Sequence, residues 1–252
     1  MDLKLQHKTV IVTGGGRGIG AGICAAFAQE GANVVLNYRS QEEHARSFAH
    51  SLEQRYGVTV LPVRADVTCP QEVERLFRQT LDAFGPPDVL VNNAVGGVTF
   101  KPFQELTYEE WKAAQTGIVD HVFFMSQHFL KGCIQASKPG RIIHILSKSS
   151  FLSSSVDNLT YVANKGALAA LTRGMAKEFI RYGVFVNGII PGYVNTRAHQ
   201  EDSPRTAQIR QMLPLGELAQ PQEIGNVAVI LASPLFRQMI GAIVDCTGGT
   251  ML

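Results

Sequence analysis

The chain has 252 residues, 45% hydrophobic and 17% charged, a size and balance that suit one large soluble domain needing neither disulfide nor metal to fold. Its 23 Lys and Arg against 21 Asp and Glu leave a formal charge of +2, too weak a field for non-specific nucleic-acid binding. No apolar run approaches the ~20 residues of a membrane span, and residues 1–8 lack the apolar core of a signal peptide. Cys24, Cys69, Cys133 and Cys246 are scattered, with no C-x-x-C pair, which points to free thiols in a reducing cytoplasm rather than to zinc.

Short β-branched runs alternate with longer helical patterns. A strand over 9–13 leads into a helix over 19–30. Strands over 33–37 and 58–63 flank a helix over 41–56. The next helix, 70–84, has proline in its first turn and stops before Gly85-Pro86-Pro87. A strand over 88–91 follows. Thr107 then reads as an N-cap before Glu109 and Glu110, ahead of a long apolar stretch over 119–130. A strand over 141–146 ends in a serine-rich loop, 147–155. Helices over 160–182 and 222–232 and strands over 184–190 and 242–245 complete the pattern. Most of the seven strands are continuously apolar rather than alternating, as expected when both sheet faces are covered. The fold class is therefore α/β: a doubly wound parallel sheet with helices on both faces, over one domain spanning 1–252.

The first strand ends in Thr13-Gly14-Gly15-Gly16-Arg17-Gly18-Ile19-Gly20, and a helix opens at once. The match Gly16, Gly18, Ala21 to G-x-G-x-x-A starts too far past the strand, so T-G-x-x-x-G-x-G, on Gly14, Gly18 and Gly20, describes the turn better. Glycine lets a ligand approach the backbone, and the helix N-terminus presents N–H groups and a positive dipole to a pyrophosphate.

Further motifs lie downstream: Asp66-Val67, Asn92-Asn93-Ala94, Tyr161-x-x-x-Lys165, Asn187 with Pro191-Gly192, and Gly248-Gly249. In this order and at these intervals the chain resembles the short-chain dehydrogenase/reductase family along almost its whole length. The resemblance implies a Rossmann-type sheet of strand order 3-2-1-4-5-6-7 and a nicotinamide cofactor. It further implies that Gly14, Arg17, Gly18, Ile19 and Gly20 meet the pyrophosphate side and that Asp66 and Val67 meet the adenine. Asn92 and Ala94 would flank the adenosine half, and Pro191, Gly192, Val194 and Thr196 would complete the cofactor site. Val95 stands where the family usually has glycine.

An acid at the end of the second strand grips the ribose of NAD. Here that strand ends Asn37-Tyr38-Arg39-Ser40, without an acid. Arg39 and Ser40, beside Tyr38 and with Arg17 pointing to the same place, suit a 2′-phosphate, so the expected cofactor is NADP(H).

Tyr161 and Lys165 stand at i and i+4 on one helix face. A phenol ordinarily titrates near 10, and a neighbouring ammonium favours its phenolate. In reduction Tyr161 then gives its proton to a carbonyl oxygen as hydride reaches the carbon. The resemblance makes Lys165 the holder of the nicotinamide ribose as well. A serine that binds the substrate oxygen belongs just past the 141–146 strand. Counting from the strand selects Ser147, whereas counting back from Tyr161 lands on Lys148. A one-residue insertion reconciles the two, with Ser149 as second choice. Ile118 occupies the place of a family Asn that supports a helix kink and a water chain to the lysine. Asp120 and His121 are the polar candidates for a substitute path, although a lone His among apolar residues is more often structural.

The overall texture resembles bacterial 3-oxoacyl-carrier-protein reductases, through Pro214-Leu215-Gly216 and Gln220-Pro221-Gln222-Glu223-Ile224. The substrate implied is a 3-oxoacyl thioester on a carrier protein or CoA, or a similar ketone. A polar lid over 196–213, carrying Arg197, Arg205 and Arg210, suits a phosphopantetheine or an acidic carrier. Family members form tetramers or dimers, which makes a homo-oligomer, most simply a homotetramer, the expectation. Ile118 also supports an alternative, a cofactor-binding partner subunit with weak or no chemistry. An epimerase or dehydratase of nucleotide sugars is disfavoured by the short chain and tight glycine spacing.

Overall fold

The computed structural model describes residues 1–152, 156–197 and 204–251. β1 (Thr9–Val12) leads through the glycine turn into α1 (Gly18–Gln29), followed by β2 (Asn33–Tyr38), α2 (Glu42–Tyr56), β3 (Val60–Arg64), α3 (Pro70–Phe84) and β4 (Val89–Asn92). α4 (Tyr108–Gln115) runs through a π-helical turn, Thr116–Asp120, into α5 (His121–Gln135). Then come β5 (Gly140–Ile145), α6 (Leu159–Phe179), β6 (Val184–Pro191), α7 (Pro204–Met212), α8 (Pro221–Ala232) and β7 (Ile243–Cys246). The seven strands form one parallel sheet in the order β3-β2-β1-β4-β5-β6-β7, as the family resemblance implies.

The strands read as unbroken apolar runs because neighbouring residues serve opposite cores. Val10, Val12, Val34, Leu36, Val91 and Ile143 bury one face with residues of α1 and α8. Ile11, Val35, Leu90, Ile142 and Val186 bury the other with residues of α3, α5 and α6. Each full burial of such a side chain is worth about 1.5–3 kcal/mol.

Helix ends follow local chemistry. Thr107 and Glu110 form a reciprocal capping box at α4, and Pro70 starts α3. Most predicted bounds hold to within one or two residues, and the structure adds detail at β3, α6, the 119–130 stretch and the lid. β3 starts at Val60 rather than 58. α6 ends at Phe179 and tightens into a 3-10 turn over Ile180–Tyr182. The apolar stretch over 119–130 is broken at its start by the π turn. The lid segment contains α7, while 198–203 lie outside the described residues, as do 153–155 of the serine loop.

The π turn has a packing cause. Gly117 lies against the Gly96 carbonyl, where any Cβ would overlap, and its own carbonyl accepts from Gly96 N at 3.0 Å. Gly97 is pressed in the same way on the Ala113 carbonyl. The extra residue in the turn lets the helix follow this contact without losing its course.

α1 and α8 cross at glycines. A Cβ on Gly22 would strike the Pro221 carbonyl, and one on Gly225 the Gly22 carbonyl. Backbone cannot yield as a flexible side chain does, so Gly225→Val should lower the melting temperature by at least about 5 °C. A calorimetric melt matching wild type would contradict the close crossing.

Candidate active site

The glycine turn sits where the strand order reverses, at the C-terminal edge of β1. Gly14 and Gly18 have φ of +63° and +52°, in the left-handed region. Gly20 packs so tightly on the Gly14 carbonyl that a Cβ would overlap it. Arg17 is the N-cap of α1 and makes no side-chain cap. The first turn of α1 therefore presents its N–H groups and dipole to a cleft of about 580 Å³. A bound pyrophosphate fits this end.

The walls of that cleft include Gly14, Arg17, Gly18, Ile19 and Gly20, then Tyr38, Arg39 and Ser40, then Asp66, Val67, Ala94 and Thr196. Asp66 Oδ1 accepts from Thr68 N at 3.0 Å and from Thr68 Oγ1 at 2.7 Å. Burial by itself raises its pKa, but the Thr68 bonds and the charge of Arg39 outweigh it and hold the carboxyl below its usual range. Arg39 Nη1 stands 3.8 Å from Asp66 Oδ2, and its side chain is 69% exposed. An exposed guanidinium on the cleft wall is suited to a phosphate. The nearest acid on α2, Glu42, is committed to Arg46 at 2.8 Å. Tyr38 is 5% exposed. Burial raises its pKa first, and its hydroxyl also bonds Glu42, so it is a wall of the cleft more than a donor into it.

Asn92, Pro191, Gly192 and Val194 lie off this wall, as do Ser147, Tyr161 and Lys165 further along the sheet edge. Asn92 is 2% exposed, and its Nδ2 donates to Ser126 Oγ at 3.4 Å. Its neighbour Asn93 takes the place in the cleft, with Nδ2 donating to Thr13 O at 2.9 Å and Gly14 O at 3.3 Å. Pro191 ends β6, Gly192 is pressed against Thr247, and Val194 bridges to Ala219.

Sequence reasoning missed several contributors. Asn37 accepts from Gly14 N at 3.2 Å and donates to Ala65 O at 2.9 Å, tying the glycine turn to β3. Thr13 Oγ1 accepts from Asn93 N at 2.9 Å and Ala94 N at 3.0 Å. The readable signal was a polar residue inside an otherwise apolar strand. His44, on α2, also lines the cleft beside Arg39 and carried no signal.

Further along the sheet edge, α6 carries Tyr161 and Lys165. Lys165 is 2% exposed, and its Nζ donates to Ile145 O at 2.7 Å. Burial lowers its pKa to about 7. The ammonium stands 5.8 Å from the Tyr161 ring centre. Burial raises the Tyr161 phenol, and the nearby Ser147 hydroxyl opposes that rise. Ser147 is extended, just past β5, and its Oγ accepts from Ser149 N at 3.1 Å. The structure thus brings Ser147, Tyr161 and Lys165 together and uses Ser149 to fix Ser147. Ile118 is fully buried in the apolar cluster beneath Tyr161, and His121 is 1% exposed. Lys148 Nζ sits 4.2 Å from the Tyr193 ring centre.

A parallel doubly wound sheet with an open helix N-terminus at its switch point is a nucleotide-binding architecture. Comparison with known proteins narrows it. The profile of a family described as enoyl-(acyl carrier protein) reductase matches residues 14–251. A hydroxynaphthalene reductase-like protein of Metarhizium majus is 31% identical over 98% of this chain and 96% of its own. A 3beta-hydroxysteroid dehydrogenase of Eggerthella lenta is 32% identical over 98% and 95%. The crystal structure of L-sorbose reductase from Gluconobacter frateurii, complexed with NADPH and L-sorbose, superposes with a TM-score of 0.92 at 27% identity, covering 100% of this chain and 99% of that one. This chain belongs to the short-chain dehydrogenase/reductase family, the nicotinamide-dependent oxidoreductases of alcohols and ketones.

Proposed function

We propose that the chain is an NADPH-dependent ketoreductase, one catalytic domain over 1–252 with Ser147, Tyr161 and Lys165 as its catalytic residues. The observation that carries this reading is the convergence of Ser147, just past β5, on the Tyr161 phenol, one helical turn from Lys165, which is buried with its Nζ on the Ile145 carbonyl. The nicotinamide, when bound, supplies the hydride. Ser147 holds the substrate carbonyl oxygen, and Tyr161 donates the proton that oxygen needs as charge develops on it. Lys165 favours the phenolate left behind. Arg17, Arg39 and Ser40 on the cleft wall select NADP(H) over NAD(H), since no unpaired acid stands at the end of β2.

The substrate we favour is a 3-oxoacyl thioester, on a carrier protein or CoA, or a similar ketone. Exposed Val95, Phe151, Leu152 and Leu215 suit an apolar chain, and the lid bearing Arg197, Arg205 and Arg210 suits a phosphorylated arm or an acidic carrier. A cytoplasmic homo-oligomer, tetramer or dimer, fits the free cysteines and the exposed Phe103, Tyr108 and Phe123. Among the described residues no helix is long and apolar enough to cross a membrane.

The test is oxidation of NADPH and NADH with a panel of acetoacetyl thioesters, quinones and ketones. Turnover with NADPH and an acetoacetyl thioester supports the full reading. Turnover only with other ketones keeps the reductase and replaces the substrate. Cofactor binding with no turnover of any carbonyl would make the chain a partner subunit, as Ile118 alone allows.

A further inference from the structure

A buried polar cluster lies behind Lys165. Asn92 ends β4, and His144 is its direct neighbour on β5. His121 opens α5, which packs on both strands. All three are at most 2% exposed. Among the described residues, Asn92 Oδ1, both ring nitrogens of His121 and His144 Nε2 have no hydrogen-bond partner, while His144 Nδ1 is engaged with Thr172 Oγ1 at 2.9 Å. His121 also lines the cofactor cleft, beside Gly117 of the π turn. It therefore reaches from the cleft into the interior, next to the position where Ile118 offers no polar side chain. Four buried polar atoms without protein partners are a site for ordered water, because leaving each bare costs about 1–3 kcal/mol.

We propose that His121 is a positioning residue for Lys165, a neutral imidazole that conducts protons between the cofactor cleft and the Lys165 amine through water shared with Asn92 and His144. The inference rests on the ketoreductase reading for its role in turnover. The transfers balance. Tyr161 loses its O–H proton to the carbonyl oxygen, and the phenolate takes a proton from the Lys165 ammonium. The resulting amine takes a proton from a bridging water, which is made good by the N–H of His121. The opposite ring nitrogen of His121 takes a proton from cleft water, leaving the other neutral tautomer, which a ring flip or back-exchange resets. One proton passes from solvent to the alcohol oxygen, Lys165 returns to its ammonium form, and no residue ends with a changed charge.

The surroundings keep the imidazole neutral, as such a bridge requires. Burial first, and then the charge of Lys165 on α6, lower the His121 pKa to about 4. Asp120 on the π turn, Asp66 after β3 and the Thr116 carbonyl, which stops short of hydrogen-bond geometry, pull weakly the other way. On β5, His144 is lowered to about 3, by burial and then by His121 and Lys165. Both rings are neutral acceptor–donors over the working range.

The experiment has two arms. In the first, ¹⁵N NMR of imidazole-labelled protein without substrate follows His121 in wild type and in Lys165→Met. His121 should resist protonation down to about pH 4 in wild type, and its pKa should rise when Lys165 is removed. An unchanged titration overturns the coupling whether or not any substrate is known. In the second, His121→Leu is compared with wild type from pH 6 to 9 under saturating NADPH and ketone. The expected loss in kcat is about tenfold or more, growing with pH, with KM for NADPH within twofold and little of the rate restored in His121→Gln, whose amide can hold the water but cannot pass a proton from one end to the other. A folded His121→Leu with a wild-type kcat and pH profile overturns the role in turnover. Should His121→Leu fail to fold, His121→Gln alone decides, through its solvent isotope effect. A value equal to wild type at every pH rejects proton conduction. Absence of turnover in wild type defeats the ketoreductase reading instead and leaves the first arm standing.

Discussion

Replacing Tyr161 with Phe should cut carbonyl reduction by about a thousandfold while leaving the Kd for NADPH within about threefold. The ring is not part of the nucleotide cleft wall, whereas its hydroxyl lies near Ser147. Removing that oxygen deletes the proton donor we propose and leaves packing in place. Ser147→Ala should share most of the loss, because it removes the second ligand of the substrate oxygen. Ser149→Ala should not, since Ser149 serves Ser147 through its backbone N–H. Loss in Ser149→Ala but not in Ser147→Ala would reverse the two assignments. The pH dependence has a definite sign. Lys165 titrates near 7 because burial disfavours its charge, while burial raises the phenol. Above about pH 7 the Tyr161–Lys165 pair holds fewer protons. Reduction, which consumes one, should therefore fall with rising pH, and alcohol oxidation should rise. Stopped-flow rates in both directions over pH 6–10 check this, and parallel profiles would refute it.

The double replacement Arg17→Ala with Arg39→Ala should lower the ratio of NADPH to NADH affinity by about a hundredfold or more. Each charge-assisted contact to a phosphate is worth about 1.5–3 kcal/mol, and tenfold in Kd is about 1.4 kcal/mol. The loss should be confined to the 2′-phosphate form. Arg39 does touch Asp66, but at 3.8 Å and largely in solvent, so that pair contributes little to the adenine side. Fluorescence titration with both cofactors measures the ratio. A salt series adds a second check, since a phosphate contact weakens as ionic strength rises. Equal loss for NADPH and NADH would mean that the arginines act on the shared pyrophosphate or on the fold, and not on cofactor choice.

Much of the sheet was legible because its strands are apolar on both faces and its helices carry their own stop signals. Pro70 and Gly85 bound α3 as expected, and Thr107 with Glu110 forms the capping box that its spacing suggests. The π turn was not legible. Its cause is the Gly96–Gly117 backbone contact, between residues twenty-one positions apart, and no periodicity within the helix reports on a neighbour of that kind. The place of Asn92 was misread for a related reason. It and Asn93 are adjacent on an extended chain and must point to opposite faces, and only the third dimension says which faces the cleft.

The amino-acid order by itself determined the doubly wound architecture, the glycine turn and the pairing of Tyr161 with Lys165, because each rests on local geometry: strand period, positive φ and helical spacing. Tertiary structure alone decided which polar groups are spent on holding the site and which are left to act. Asn37 and Thr13 are consumed in binding the turn. Lys165 loses its water and drops its pKa, and His121, on the cleft wall, is buried. Burial and partnership are properties of elements brought together from distant parts of the chain, and they set the charge state on which the chemistry depends.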